Sequence, residues 1–303
     1  MTQMPWADRA VAILAIAGLA ACGATGTTHS HAAGRSPSQS SRSPAGPTRP
    51  VSSPTRTPKP RPSPAKVIIS SFRAGDGSVI TLARFRGGVR YRLHSGSQDP
   101  GYRALSVVRA GPAVTGGERR VLLAAFNGGF LLSAGAGGYE QEGHVISPLI
   151  RGLASLVIYH GGAAAIGSWG HGLPQRGQTV VSVRQNLHLL VRNGRVSAAA
   201  ADWTLWGATL GGGENVARSA LGQDAAGDLM YAESASATPQ DLAEALARSG
   251  ALIGMELDIN GNLQLDIART AGGALSAADL GQLRPASQYL TGWTRDFITV
   301  LAP

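Results

Sequence analysis

From Lys66 onward the apolar residues come in runs of about five to seven, and glycine cuts most of them before they reach helical length. Such runs, rich in Val, Ile, Phe and Tyr, predict strands over 67–72, 79–85, 89–94, 105–109, 120–126, 155–159, 179–184 and 187–191. Gly75-Asp76-Gly77 and Gly87-Gly88 are placed to turn, and Arg192-Asn193-Gly194-Arg195 carries the Asn-Gly pair that a two-residue hairpin loop favours. One helix is marked at both ends, over about 239–249. Thr238 can cap it, Pro239 fits its first position and Asp241 supplies a capping carboxylate. Leu242, Ala245 and Leu246 share a face, and Gly250 ends the helix. A shorter helix is expected from Ser276. No internal period suggests a solenoid or propeller. Many short strands with one strong helix near the end predict an α+β domain with the strands in mixed sheets.

The first 65 residues read differently. After Arg9 an apolar run extends over 10–21, too short for a hydrocarbon layer of about 30 Å but suited to the h-region of a secretory signal. It ends in Leu19-Ala20-Ala21-Cys22-Gly23, which resembles a bacterial lipobox, and the single cysteine of the chain sits at its lipidation position. The expectation is a signal peptide over 1–21 and a diacylated Cys22 that anchors the protein outside the cytoplasm; the alternative is an ordinary secretory signal. One cysteine also excludes a disulfide framework and a cysteine-built zinc site. Residues 23–65 hold nine prolines, nine serines and six threonines, with Val51 the only branched aliphatic. That composition predicts a disordered, extended stalk ahead of a domain over 66–303. The formal charge of +9 is concentrated there too: six basic residues and no acid in 23–65, against 20 basic and 17 acidic from Lys66 on. A basic stalk on a nearly balanced domain points to an anionic surface nearby and away from nucleic acid.

Four clusters in the domain can carry chemistry. Asn127-Gly128-Gly129 follows a buried-type strand, where an amide and bare backbone N–H groups can meet a ligand; a hairpin turn is the other reading. In Met255–Ile267 strict alternation sets Met255, Leu257, Ile259, Leu263, Leu265 and Ile267 on one face, with Glu256, Asp258, Gln264 and Asp266 on the other. Two carboxylates at i and i+2 can share a proton or a divalent cation, or else form a solvated hairpin tip. Gly261 stands fourth from Asp258, which excludes an EF-hand loop. Arg218, among small residues, can grip a phosphate bidentately or lie on a strand surface. Glu140, Glu142 and His144 form a loop cluster open to metal binding or plain solvation. Trp203 and Trp206 suit either a sugar platform or the core.

Taken in order, Asn127-Gly-Gly-Phe130, Leu190-Val-Arg-Asn-Gly-Arg195, Ala217-Arg-Ser-Ala-Leu-Gly-Gln-Asp224, Thr238-Pro-Gln-Asp-Leu-Ala-Glu-Ala-Leu246 and Gly254-Met-Glu-Leu-Asp-Ile-Asn-Gly261 resemble the phosphodiester glycosidase family over roughly residues 80–303. The resemblance implies hydrolysis of a sugar-1-phosphodiester in a cell-envelope glycan or nucleotide-sugar-like compound. It implies catalytic roles for Asn127, Arg218 (phosphate clamp) and Asp258 (base, nucleophile or metal ligand). Gly128, Gly129, Glu256, Asn260 and Gly261 would bind substrate. The chain departs from the pattern at Asp258-Ile-Asn-Gly-Asn262, where the family tends to have Asp-Gly-Gly-Gly-Ser, and at Leu131, where it tends to have a second aromatic. Those departures leave open a different substrate, or a catalytically inactive domain that binds glycan or wall polymer.

Overall fold

The computed structural model describes residues 65–259, 265–269, 275–278, 284–293 and 295–303. Cys22, the apolar leader, the stalk up to residue 64, Asn260 and Gly261 lie outside the described residues. Among those described, the chain is α+β, with three sheets and a single helix longer than two turns. The largest sheet runs, strand by strand, Val67–Arg73, Val79–Phe85, Leu229–Ala237, Val216–Asp224, Ala251–Ile259, Leu189–Arg192, Arg195–Val196, each pair antiparallel. A second has the order His144–Ser147, Tyr139–Gln141, Val180–Gln185, Ala154–Tyr159, Ala164–Trp169, Gly172–Leu173 and closes with one parallel pair. The third has the order Leu275–Ala277, Leu265–Arg269, Leu122–Asn127, Phe297–Leu301, Arg90–His94.

The three sheets meet on one core. Phe85 and Tyr231 of the largest sheet pack on Phe126 of the third, at ring-centroid distances of 5.6 and 4.9 Å. Leu156 and Ile158 of the second sheet join the same cluster. The largest sheet is covered on its other face by the helix Pro239–Arg248, which seats Leu242, Ala245 and Leu246 against Ala220, Met230 and Ala251. Fully burying each leucine stabilises by about 1.5–3 kcal/mol. Thr238 and Asp241 exchange the reciprocal hydrogen bonds of a capping box, as the sequence predicts. Cover on both faces explains why every residue of Met255–Ile259 is buried, although alternation alone placed Glu256 and Asp258 on a solvated side.

Some local expectations fail for identifiable reasons. The 105–109 run forms no strand: Tyr102–Leu105 is a helical turn, and the N–H groups of Ser106, Val107 and Val108 bond back to carbonyls within it. Leu275–Ala277 is an edge strand paired with Leu265–Arg269, not a helix start. Residues 116–121 are helical, so that strand begins at Leu122. Gly87-Gly88 links strands of two different sheets and is no hairpin. Asn193-Gly194 does close one, with φ of 51° and 73°, the left-handed pair such a turn requires. Among the described residues no helix is long and apolar enough to cross a membrane.

Candidate active site

Asn127 ends the strand Leu122–Asn127, which is flanked by partners on both sides, so it is not in a hairpin turn. Its amide is 7% exposed and fully engaged: Nδ2 donates to Ser219 Oγ (2.9 Å) and to the Gly128 carbonyl (2.9 Å), while Oδ1 accepts from the Tyr231 hydroxyl. Ser219 Oγ in turn accepts from the backbone N–H of Asp258 at 3.2 Å. Asn127 is thereby joined through one hydroxyl to the backbone of Asp258. It acts on the position of Asp258 and has no donor left for a sugar.

The Asp258 carboxylate meets a residue the motifs did not single out. Arg295 donates from Nη1 to Oδ2 at 2.6 Å and from Nη2 to Oδ1 at 3.3 Å, a two-pronged grip. Burial pushes the Asp258 carboxyl up, to about 6, against the opposing pull of Arg295. The pair lies at the polar end of a cavity of about 630 Å³, walled by Phe130, Leu131, Leu187 and Ile259. Leu131 and Ile259, two of the departures from the resembled pattern, are both on that wall. Arg295 is 26% exposed, and two of the five N–H donors of a guanidinium hold Asp258, which leaves three for a ligand.

Gly128 and Gly129 present their bare faces to the protein itself. Gly128 N–H donates to the Asp296 carbonyl at 2.8 Å, and a Cβ there would collide with the Asp296 carboxylate. A Cβ on Gly129 would lie 2.8 Å from Arg184 Cζ. Asp296 and Arg184 form an ion pair of 2.8 Å, each about 1% exposed. Asn186 adds a second brace, accepting from Phe130 N–H (3.1 Å) and donating to the carbonyls of Glu256 (2.9 Å) and Leu257 (2.7 Å). Gly128→Ala is therefore expected to lower the melting temperature by about 2–12 °C, the effect of about 1–3 kcal/mol of overpacking in a domain this size, measurable by differential scanning calorimetry.

Arg218 is placed elsewhere, and the expectation of a phosphate clamp is corrected here. The strand is irregular on both sides of it, toward Leu229–Ala237 and toward Ala251–Ile259, and such bulges re-aim a side chain. Arg218 is 0% exposed. It donates to Glu256 Oε1 (2.7 Å) and to the carbonyls of Ala237 (2.9 Å), Glu214 (3.3 Å) and Trp206 (3.4 Å). Burial pushes the Glu256 carboxyl up, to about 8, although Arg218 pulls it down. Each carboxylate that the sequence offers to a divalent cation is thus held by its own arginine. Among the described residues no group of three or more His, Cys, Asp and Glu is arranged to hold a metal. Glu142 is tied to Arg92 and to the N–H groups of Arg109 and Ala110. Trp206 is core, its Nε1 donating to the Ala199 carbonyl.

Sequence reasoning missed Arg295, Asp296, Arg184 and Asn186. No motif surrounds them, and the only signal was adjacent opposite charges, Arg295-Asp296, directly before the final strand. No family model and no curated protein sequence matches the chain. Among solved structures, a hypothetical protein from Synechocystis aligns with a TM-score of 0.46 at 13% identity, covering 78% of this chain and 62% of that one. The catalytic domain of zebrafish N-acetylglucosamine-1-phosphodiester alpha-N-acetylglucosaminidase, auto-inhibited by its pro-peptide, aligns with a TM-score of 0.50 at 16% identity over 78% of this chain and 82% of that one. The likeness is one of fold, and a distant one: this chain is built on an architecture similar to that of a phosphodiester glycosidase catalytic domain.

Proposed function

We propose that the protein hydrolyses a sugar-1-phosphodiester, with Asp258 as general base and Arg295 as the anion-binding group. The observation that carries this reading is a buried aspartate gripped by a partly exposed arginine at the polar end of an otherwise apolar cavity. Water would add to the anomeric carbon as the bond from that carbon to the phosphate oxygen breaks. The electron pair leaves with the phosphomonoester, and a water proton passes to Asp258. A phosphomonoester leaves readily, so an anion clamp matters more than a strong acid. Asn127 and Ser219 hold the strand that presents Asp258. In this reading residues 66–303 are the catalytic domain, carried on the stalk 22–65 and tethered outside the cytoplasm by lipid on Cys22.

The test is release of free sugar from a sugar-1-phosphodiester such as UDP-N-acetylglucosamine by the full chain in detergent. Arg295→Lys keeps the charge but loses the planar fork. It is expected to lower kcat/KM by about 100-fold, mainly through KM. Turnover equal to that of the parent would remove Arg295 from the site, and saturable binding without product would make the protein a binder on a hydrolase scaffold.

A further inference from the structure

The cavity beside Asp258 and Arg295 has a lopsided chemistry. Its one charged couple stands at a single place, and the remaining wall is Phe130, Leu131, Ala136, Leu187 and Ile259, with Gly207 and Ala208 closing one side. Phe130, Ala136 and Ile259 pack on one another as a separate apolar cluster, backed by Leu187 and Val216. One wall residue reaches the surface: Leu131 is 43% exposed, while Leu205 and Leu210, near the wall residues Gly207-Ala208 in sequence, are 56% and 76% exposed. A large aliphatic exposed at the rim of an apolar cavity marks a place where an apolar ligand is met.

The hydroxyls of a sugar and the second phosphate and ribose of a nucleotide leave most of such a wall unmatched. An alkyl chain matches it. A phosphate attached to that chain finds its counter-charge only at Arg295, where the wall ends. We infer that the substrate class is a sugar-1-phosphodiester whose other ester arm is a hydrocarbon chain, a glycosyl phospholipid in the broad chemical sense. The phosphate sits at Arg295, the sugar on the Asp258 side, and the chain runs along Phe130, Ile259 and Leu187 and leaves past the exposed Leu131. This assignment rests on the hydrolase reading for the identity of the sugar arm, but the affinity for an alkyl phosphate does not.

Binding and turnover separate the two. Octyl phosphate and methyl phosphate, both at monomeric concentration, are titrated calorimetrically into the full chain. Each buried methylene contributes about fourfold in affinity, so octyl phosphate is expected to bind at least 100-fold more tightly than methyl phosphate. Leu131→Asp, at a half-exposed position where folding is not at stake, is expected to cut that ratio by about tenfold or more. Thermal unfolding confirms that the variant is folded. The octyl and methyl phosphodiesters of N-acetylglucosamine-1-phosphate are then compared as substrates, the octyl ester being expected to show the lower KM. Equal affinity for the two alkyl phosphates, or an unchanged ratio in folded Leu131→Asp, overturns the inference even if both esters are hydrolysed. Tight octyl phosphate binding with no hydrolysis of either ester leaves the amphiphile site standing and removes the hydrolase reading instead.

Discussion

Asp258→Asn should lower kcat/KM for a sugar-1-phosphodiester by about 10²–10⁴-fold, the range for loss of a positioned general base. The effect is chemical, so it should fall on kcat more than on KM. The pH profile gives a second signature. A base must be ionised, and burial sets the Asp258 carboxyl at about 6, so activity should climb as pH rises through that value. The residual activity of the Asn variant should lack that limb. Unfolding is not an alternative explanation. Because the folded-state value lies above the ordinary carboxylate range, the protonated form is the one favoured by folding. That contribution is full below about pH 4 and lost as pH rises through about 6. An uncharged amide has nothing to lose above pH 6, and Arg295 can turn its guanidinium to solvent. Melting temperatures of the two proteins at pH 8 should therefore be close. A pH profile unchanged in the variant would exclude Asp258 as the base.

Arg218→Met should do the opposite. Its charge is buried with Glu256 and with three backbone carbonyls, and removal leaves a buried carboxyl group and those acceptors without their donor. Breaking a buried pair from one side costs about 3–5 kcal/mol, which lowers the melting temperature of a domain this size by about 6–20 °C. Arg218→Met combined with Glu256→Leu should recover much of the loss, because no buried charge then stands alone. Calorimetry on the two single variants and the double variant measures the coupling directly. Activity per folded molecule should fall far less than in Asp258→Asn. A variant that melts like the parent but has lost phosphodiester turnover would return Arg218 to the substrate.

The contrast between these two residues shows what a sequence of this kind discloses. Elements fixed by neighbours within a few positions were legible: the capped helix after Thr238, the Asn193-Gly194 turn, the strands around Phe85 and Ile158. Where pairing partners decide, reading failed. Val107 and Val108 have strand-like side chains but their N–H groups bond locally, and Leu275–Ala277 is a strand only because Leu265–Arg269 lies beside it. The alternating strand picked out Asp258 as a carboxylate but set it on the polar side, and its grouping with Asn127 came from the order of motifs, not from any local feature. Its cation was not legible. Arg218 and Arg295 are both arginines among small or polar neighbours, and what separates a core ion pair from a ligand-facing one is a pair of bulges and a partner 37 or 38 residues away. Neither leaves a local trace.

The amide–hydroxyl–backbone chain from Asn127 through Ser219 to Asp258 joins a strand of the five-stranded sheet to two strands of the seven-stranded one. No contiguous stretch of the polypeptide owns the reactive centre. A proteolytic piece with only one of these sheets would retain ordinary strand pairing yet be chemically inert. Under the proposed hydrolysis, turnover would report the seam between layers, and a ligand that wedged it open would abolish it without touching the substrate.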